Sequence, residues 1–127
     1  MTILDCYLNK LKKDRFVIFL FHGVIDKDFE GVRNYTKKHM NVDTFEEIIL
    51  NLKKKGNPIS MDEIVYYQNI NKDIPKYSYA ITFDDGFYNN YTLAKPILEN
   101  YSTPATFYIS TNLIENNYMT WIDKLEY

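Results

Sequence analysis

The sequence predicts an α/β protein: parallel strands joined by helical crossovers, forming the N-terminal portion of a larger barrel-like domain. Three observations lead there. Apolar, strand-like runs alternate with amphipathic helical patterns in the order β, α, α, β, α, β, with the start of another helix in the tail Ser110 to Tyr127. The first such run, RFVIFLFHGV at 15–24, is nearly all apolar and rich in β-branched and aromatic residues, the pattern of a parallel strand covered on both faces. Three such strands make an incomplete sheet. A closed (β/α) barrel takes about 250 residues, whereas this chain has 127. Its last strand would be an unprotected apolar edge.

The elements follow in order. After Val24 a polar, charged loop runs from Ile25 to about Asn41, long enough to suggest a functional role. Phe45, Ile48, Ile49 and Leu52 then recur at the spacing of one helical stripe. Asp43 is the expected cap of that helix, with Glu46 three residues on, and Gly56 its expected end. Ser60 and Glu63 have capping-box spacing and Ile59 and Ile64 that of a hydrophobic staple, so a helix begins at Met61 and runs to about Gln68. Asn69 to Lys76 is a polar connection in which Pro75 discourages helix. Ser78 to Phe83 is the second strand. A helix from about Asn90 to Asn100 carries Ala94, Ile97, Leu98 and Tyr101 on one face, and Pro96 should bend it. Pro104 opens a third strand, Ala105 to Ile109.

Composition sets the outer limits. Apolar residues make up 46% and charged residues 25%, which excludes a disordered chain. A net charge of -2 gives no nucleic-acid footprint. The basic clusters at 10–13 and 53–55 each sit beside a helix end and read as solvated faces. The single cysteine, Cys6, excludes an internal disulfide. The longest apolar run, Phe16 to Phe21, is far short of the ~20 residues that span a bilayer. The first residues show no basic region followed by an apolar one, so a cytoplasmic location is expected. The chain holds 12 Tyr and 8 Phe, but they are scattered, so aromatic content carries little functional weight.

The chemistry concentrates in YAITFDDG, residues 79–86, where an apolar strand ends in two adjacent carboxylates and a glycine. Like charges side by side repel unless something neutralises them. In parallel α/β architectures ligand sites form beyond the C-terminal strand ends. Here those ends are His22-Gly23, Asp84-Asp85-Gly86 and Ser110-Thr111-Asn112, which parallel strands would bring to one rim. Adjacent residues diverge, so one aspartate can face a cation while the other handles a proton. Two structural alternatives remain open: Asp85-Gly86 as a hairpin turn, or an aspartate that merely caps the next helix.

A resemblance carried by further segments favours a catalytic or metal role for the pair. TFDDG at 82–86, FLFHGV at 19–24 and LAKPILENYSTPATFYIS at 93–110 together resemble the polysaccharide deacetylase family, the NodB-homology or carbohydrate esterase 4 group, over most of residues 16–125. The resemblance makes 1–127 an incomplete deacetylase domain. It implies a hydrolase that removes acetyl groups from N-acetylated sugars or polysaccharides with a divalent metal, Zn²⁺ or alternatively Co²⁺ or Ni²⁺. It assigns the general base to Asp84 and a metal ligand to Asp85. The family draws further metal ligands from a His-x-x-x-His motif, and this sequence has only His22 and His39. The metal shell is therefore incomplete, and the chain alone is expected to be inactive. A bound Zn²⁺ would supply the positive charge beside the pair and lower a water's pKa to near ~7, with a carboxylate accepting the proton.

His22, on the expected rim, is assigned as a site-lining residue. His39, after two lysines in a polar loop, is expected to be exposed. Trp121 is expected to pack in the core or an interface rather than floor a sugar site. The open sheet edge should be met by the missing C-terminal half or by self-association. Two other readings compete: a non-catalytic carbohydrate-binding or degenerate module, and a haloacid-dehalogenase-like phosphotransferase. The latter needs Asp-x-Asp-Gly, but Phe83 lies two positions before Asp85.

Overall fold

A computed structural model describes residues 2–27 and 34–126. The central sheet is built from β1 (Val17–Phe21), β4 (Asn57–Pro58), β5 (Ser78–Phe83) and β6 (Ala105–Phe107), every pairing parallel. β5 is the hub. β1 lies along one side of it over five residues, from Val17 opposite Tyr79 to Phe21 opposite Phe83. On the other side β4 meets its first half and β6 its second. β2 (Gly23–Ile25) and β3 (His39–Asn41) form a separate parallel pair. Parallel strands require crossovers. These contain α2 (Val42–Lys55), α3 (Met61–Asn69) and α4 (Lys95–Asn100), while α1 (Ile3–Leu8), α5 (Thr111–Glu115) and α6 (Trp121–Glu126) lie nearer the termini.

The core follows from alternation along the strands. Phe19 and Phe21 of β1 and Tyr79, Ile81 and Phe83 of β5 face the stripe Phe45, Ile48, Ile49 and Leu52 on α2, with Ala94 and Leu98 closing one side. Phe45 is the centrepiece, fully buried, edge-on to Phe21 at 5.2 Å and to Phe83 at 5.8 Å between ring centroids. The other face carries a smaller cluster, in which Ile59 and Ile64 cover Ala80. Every residue of β5 is buried, as a strand covered on both faces should be.

β1 departs from that expectation. Ile18 and Leu20 are 43% and 52% exposed, because nothing among the described residues covers its second face. The predicted 15–24 strand is also broken. At His22 the chain leaves β5 and takes a new partner, Gly23 pairing with His39. Gly23 is required there: a Cβ would meet His39 Nδ1 at 2.0 Å.

Helix ends match the sequence with one correction. Ser60 and Glu63 form the expected reciprocal capping box on α3. The cap of α2 is Asn41 rather than Asp43; its side chain accepts from the amides of Asp43 and Thr44 at 2.9 and 3.3 Å. Asp43 sits in the first turn, where its charge complements the helix N-terminus. Gly56 ends α2, and Lys53, Lys54 and Lys55 are exposed in its last turn. α1, which no sequence pattern announced, starts with a capping box between Thr2 and Asp5. Ahead of Pro96 the chain forms a π-helical turn, Asn90–Ala94, that runs directly into α4, with Pro96 in the first turn of α4. β6 stops at Phe107, two residues short of the expected end. Residues 28–33 of the long loop lie outside the described residues. Among the described residues no helix is long and apolar enough to cross a membrane.

Candidate functional site

The register aligns the ends of three strands. Phe21, Phe83 and Phe107 are opposite one another across β1, β5 and β6. Their rings form a row, 5.5 Å apart between Phe21 and Phe83 and 4.9 Å between Phe83 and Phe107. The residues one step on are therefore neighbours. The Asp84 amide donates to the Phe21 carbonyl at 3.0 Å, and the Tyr108 amide donates to the Phe83 carbonyl at 2.8 Å. His22, Asp84 and Tyr108 thus follow immediately on one rim, each one step past a phenylalanine of that row. Ser110-Thr111-Asn112, the third expected strand end, instead starts α5.

Asp84 and Asp85 occupy a sharp turn. Asp85 has φ 71° and Gly86 φ 75°, both left-handed. Asp tolerates that region better than most residues, and glycine freely. Two successive left-handed residues reverse the chain so that adjacent carboxylates cannot continue the strand. A Cβ on Gly86 would meet Ile109 and Ile114 at 3.1 Å, so the glycine also admits these side chains. The hairpin alternative is excluded, because the segment after Gly86 enters the π-helical turn and the pairings of β5 are all parallel. Both aspartates are half-buried.

His22 is half-buried and lines a cleft of about 350 Å³ with Leu20, Lys38, Met40 and Ile122. Neither aspartate lines that cleft. His39, expected to be exposed, is only 5% exposed. The reason is β3: pairing with β2 carries His39 inward against Gly23 and Phe87. Burial first, and then the neighbouring Lys38 ammonium, hold its pKa below the usual histidine value. Trp121 is 71% exposed, contrary to its expected packing. α6 turns Asp123 and Glu126 inward instead, because each finds a partner there.

Those partners form a polar cluster that sequence reading missed. Lys38 Nζ lies 2.7 Å from Asp123 Oδ1 and donates to Thr120 Oγ1 at 2.9 Å. Thr120 Oγ1 donates to Asp123 Oδ2 at 2.7 Å, and the Thr36 amide donates to Glu126 Oε1 at 2.7 Å. Lys38 also sits 4.7 Å over the centroid of Phe87. Lysine is rarely buried without a partner, but a lysine inside a polar loop does not announce one. The spacing Thr120 to Asp123 was the only available signal, as a capping pattern at the start of α6.

A divalent metal needs several donors, a catalytic zinc site typically three from protein. Among the described residues no group of three or more His, Cys, Asp or Glu side chains could hold a metal ion.

Comparison with known proteins agrees with this geometry. Residues 71–125 match the family model for polysaccharide deacetylase. No curated protein matches the chain. Among solved structures, a de-N-acetylase from Aggregatibacter actinomycetemcomitans is 25% identical, with a TM-score of 0.69 over 80% of this chain and 40% of that one. The Streptococcus pyogenes deacetylase PplD, solved in complex with acetate, is 24% identical with a TM-score of 0.64, over 80% of this chain and 45% of its own. IcaB from Ammonifex degensii shares the fold at 21% identity and a TM-score of 0.63, over 78% and 40%. The chain thus spans less than half the length of these structures. The family match takes in β5 and the Asp84-Asp85-Gly86 turn, and with the fold shared by these structures it makes this part of the chain similar to polysaccharide deacetylases.

Proposed function

We propose that this chain carries the base-bearing part of a hydrolase that removes acetyl groups from N-acetylated sugars or polysaccharides. The observation that carries the reading is the turn itself. Two carboxylates leave the end of the central parallel strand at consecutive positions, inside the matched segment, with Asp85 and Gly86 left-handed. Amide hydrolysis requires a base to take the proton of the attacking water. Asp84 fills that role: it is the first residue past β5, and its backbone is tied to β1. Asp85, displaced by the turn, is the carboxylate available to a divalent metal. One carboxylate cannot hold a catalytic ion, so further ligands come from outside these 127 residues, and the 127 residues alone are inactive. The open face of β1, with Ile18 and Leu20 exposed, is where the remaining strands of a barrel would pack. His22 lines the approach beside Leu20.

The test is acetate release from acetylated chito-oligosaccharides, run on the 127-residue chain and on a form extended to the length of the related structures, with and without chelator. The reading expects chelator-sensitive release by the extended form alone, lost in Asp84→Asn. Sugar binding without any acetate release by the extended form would favour the non-catalytic module. Full turnover by the short chain would overturn the incomplete-site reading.

A further inference from the structure

We infer that the buried Lys38–Asp123 pair is a positioning device for the Asp84-Asp85 turn, acting through the ring of Phe87. This rests on the proposed role of the two aspartates, and its test separates the two. Phe87 follows Gly86 directly and is half-buried. Two groups hold its ring. Lys38 Nζ lies 4.7 Å above the centroid, and His39 meets it nearly edge-on at 4.8 Å and 77°.

Both holders are themselves fixed. The Lys38 side chain is 5% exposed, with its ammonium between Asp123 Oδ1 and Thr120 Oγ1. The backbone of His39 is clasped by Asn34: its amide donates to Asn34 Oδ1 at 3.0 Å, and its carbonyl accepts from Asn34 Nδ2 at 2.9 Å. A desolvated cation over an aromatic face is held more strongly than an exposed one. Gly86 adopts its left-handed backbone freely, but at Asp85 that conformation carries a small cost, which contacts on either side of the turn offset. The strand anchors the turn at Asp84, and the clamp anchors it at Phe87. Between these two points the orientation of Asp85 is set. α6 lies far from the turn in sequence, yet it fixes the clamp through Asp123. Lys38 and Asp123 are thus positioning residues rather than catalytic ones.

The experiment has two arms. In the 127-residue chain, backbone amide resonances are compared among wild type, Phe87→Leu, Phe87→Tyr, Lys38→Met and Lys38→Arg. Phe87→Leu should shift Asp84, Asp85 and Gly86 while leaving 17–20 and 78–81 in place. Lys38→Met should shift the same turn, and Lys38→Arg and Phe87→Tyr should restore it. Where Lys38→Met does not fold, Phe87→Leu carries the comparison. Shifts confined to 36–39 and 120–126 in Lys38→Met, or an unmoved turn in Phe87→Leu, overturn the inference.

In the extended, active form, Phe87→Leu should lower kcat by about 10²-fold, the scale of a small misplacement of a reacting group, with KM nearly unchanged and Phe87→Tyr within a few-fold of wild type. Equal losses in Phe87→Leu and Phe87→Tyr overturn it. A wild type that releases no acetate while the resonances couple as expected rejects the deacetylase reading and leaves the coupling standing.

Discussion

The Asp84 amide donates to the Phe21 carbonyl across 3.0 Å, one residue before His22. This single bond joins the ends of β1 and β5, which are far apart in sequence. It fixes the position of the proposed base to the sheet at a point where the chain is about to turn away. The first aspartate therefore inherits the rigidity of a fully buried strand, and the second belongs to the turn. Adjacent residues with different mechanical anchors suit two different tasks.

Replacing Asp84 by Asn keeps the amide bond to Phe21 and removes the proposed base. In the extended active form, acetate release should fall by about 10²–10⁴-fold, the usual contribution of a positioned general base. Melting of the variant should stay close to wild type. A variant retaining most of its turnover would remove Asp84 from the chemistry.

Breaking the buried ion pair from one side should be costly. Lys38→Met leaves the Asp123 carboxylate buried without its cation, which typically costs about 3–5 kcal/mol. The double variant Lys38→Met/Asp123→Leu should recover much of that loss. Urea denaturation of the two variants measures the difference, and equal midpoints would show that the pair is not the source.

Acid should destabilise the chain in two stages. Burial, then Lys38, hold the His39 pKa below 6.5 in the folded state. The unfolded chain thus gains a proton first as pH falls through about 6.5, and stability drops until the folded pKa is passed. Burial opposes the Asp123 carboxylate, but hydrogen bonds from Lys38 and Thr120 outweigh it and hold that pKa below 3.8. The stability Asp123 contributes is present above its unfolded pKa and is lost as pH falls through the folded one. Urea midpoints taken between pH 7.5 and 3 should trace both stages. His39→Gln should flatten the upper stage, and an unchanged slope there would reassign it.

Gly23→Ala should destabilise the β2–β3 pair, because its methyl would stand 2.0 Å from His39 Nδ1. Overpacking of this kind costs about 1–3 kcal/mol. Truncating the opposing ring as well, in Gly23→Ala/His39→Ala, should return part of the loss relative to the sum of the single variants. Thermal melts of all three forms test this, and strict additivity would mean the two sites do not touch.

Phe45→Ala should be the most damaging core change, at about 3–5 kcal/mol, because a fully buried ring between Phe21 and Phe83 leaves a cavity that the sheet cannot collapse into. Calorimetry gives the value, and a loss below ~1 kcal/mol would place the core elsewhere.

What the sequence determined by itself is local. The apolar period of α2, the capping box of α3, the β-rich run of β5 and the abrupt FDDG stop are set by neighbours a few residues apart, and each stands where its pattern placed it. The carboxylate pair was legible because two adjacent charges after a buried strand have few structural uses. Tertiary structure decided the rest, because it depends on pairings between distant residues. The break of the first strand at His22 exists only because Gly23 finds β3. The same pairing buries His39, and the inward turn of Asp123 buries Lys38, although in sequence these residues sit among polar neighbours. Trp121 ends up outside because the inner side of α6 is occupied by its two acids, and a charge–charge contact formed across the fold leaves no periodic trace in the chain.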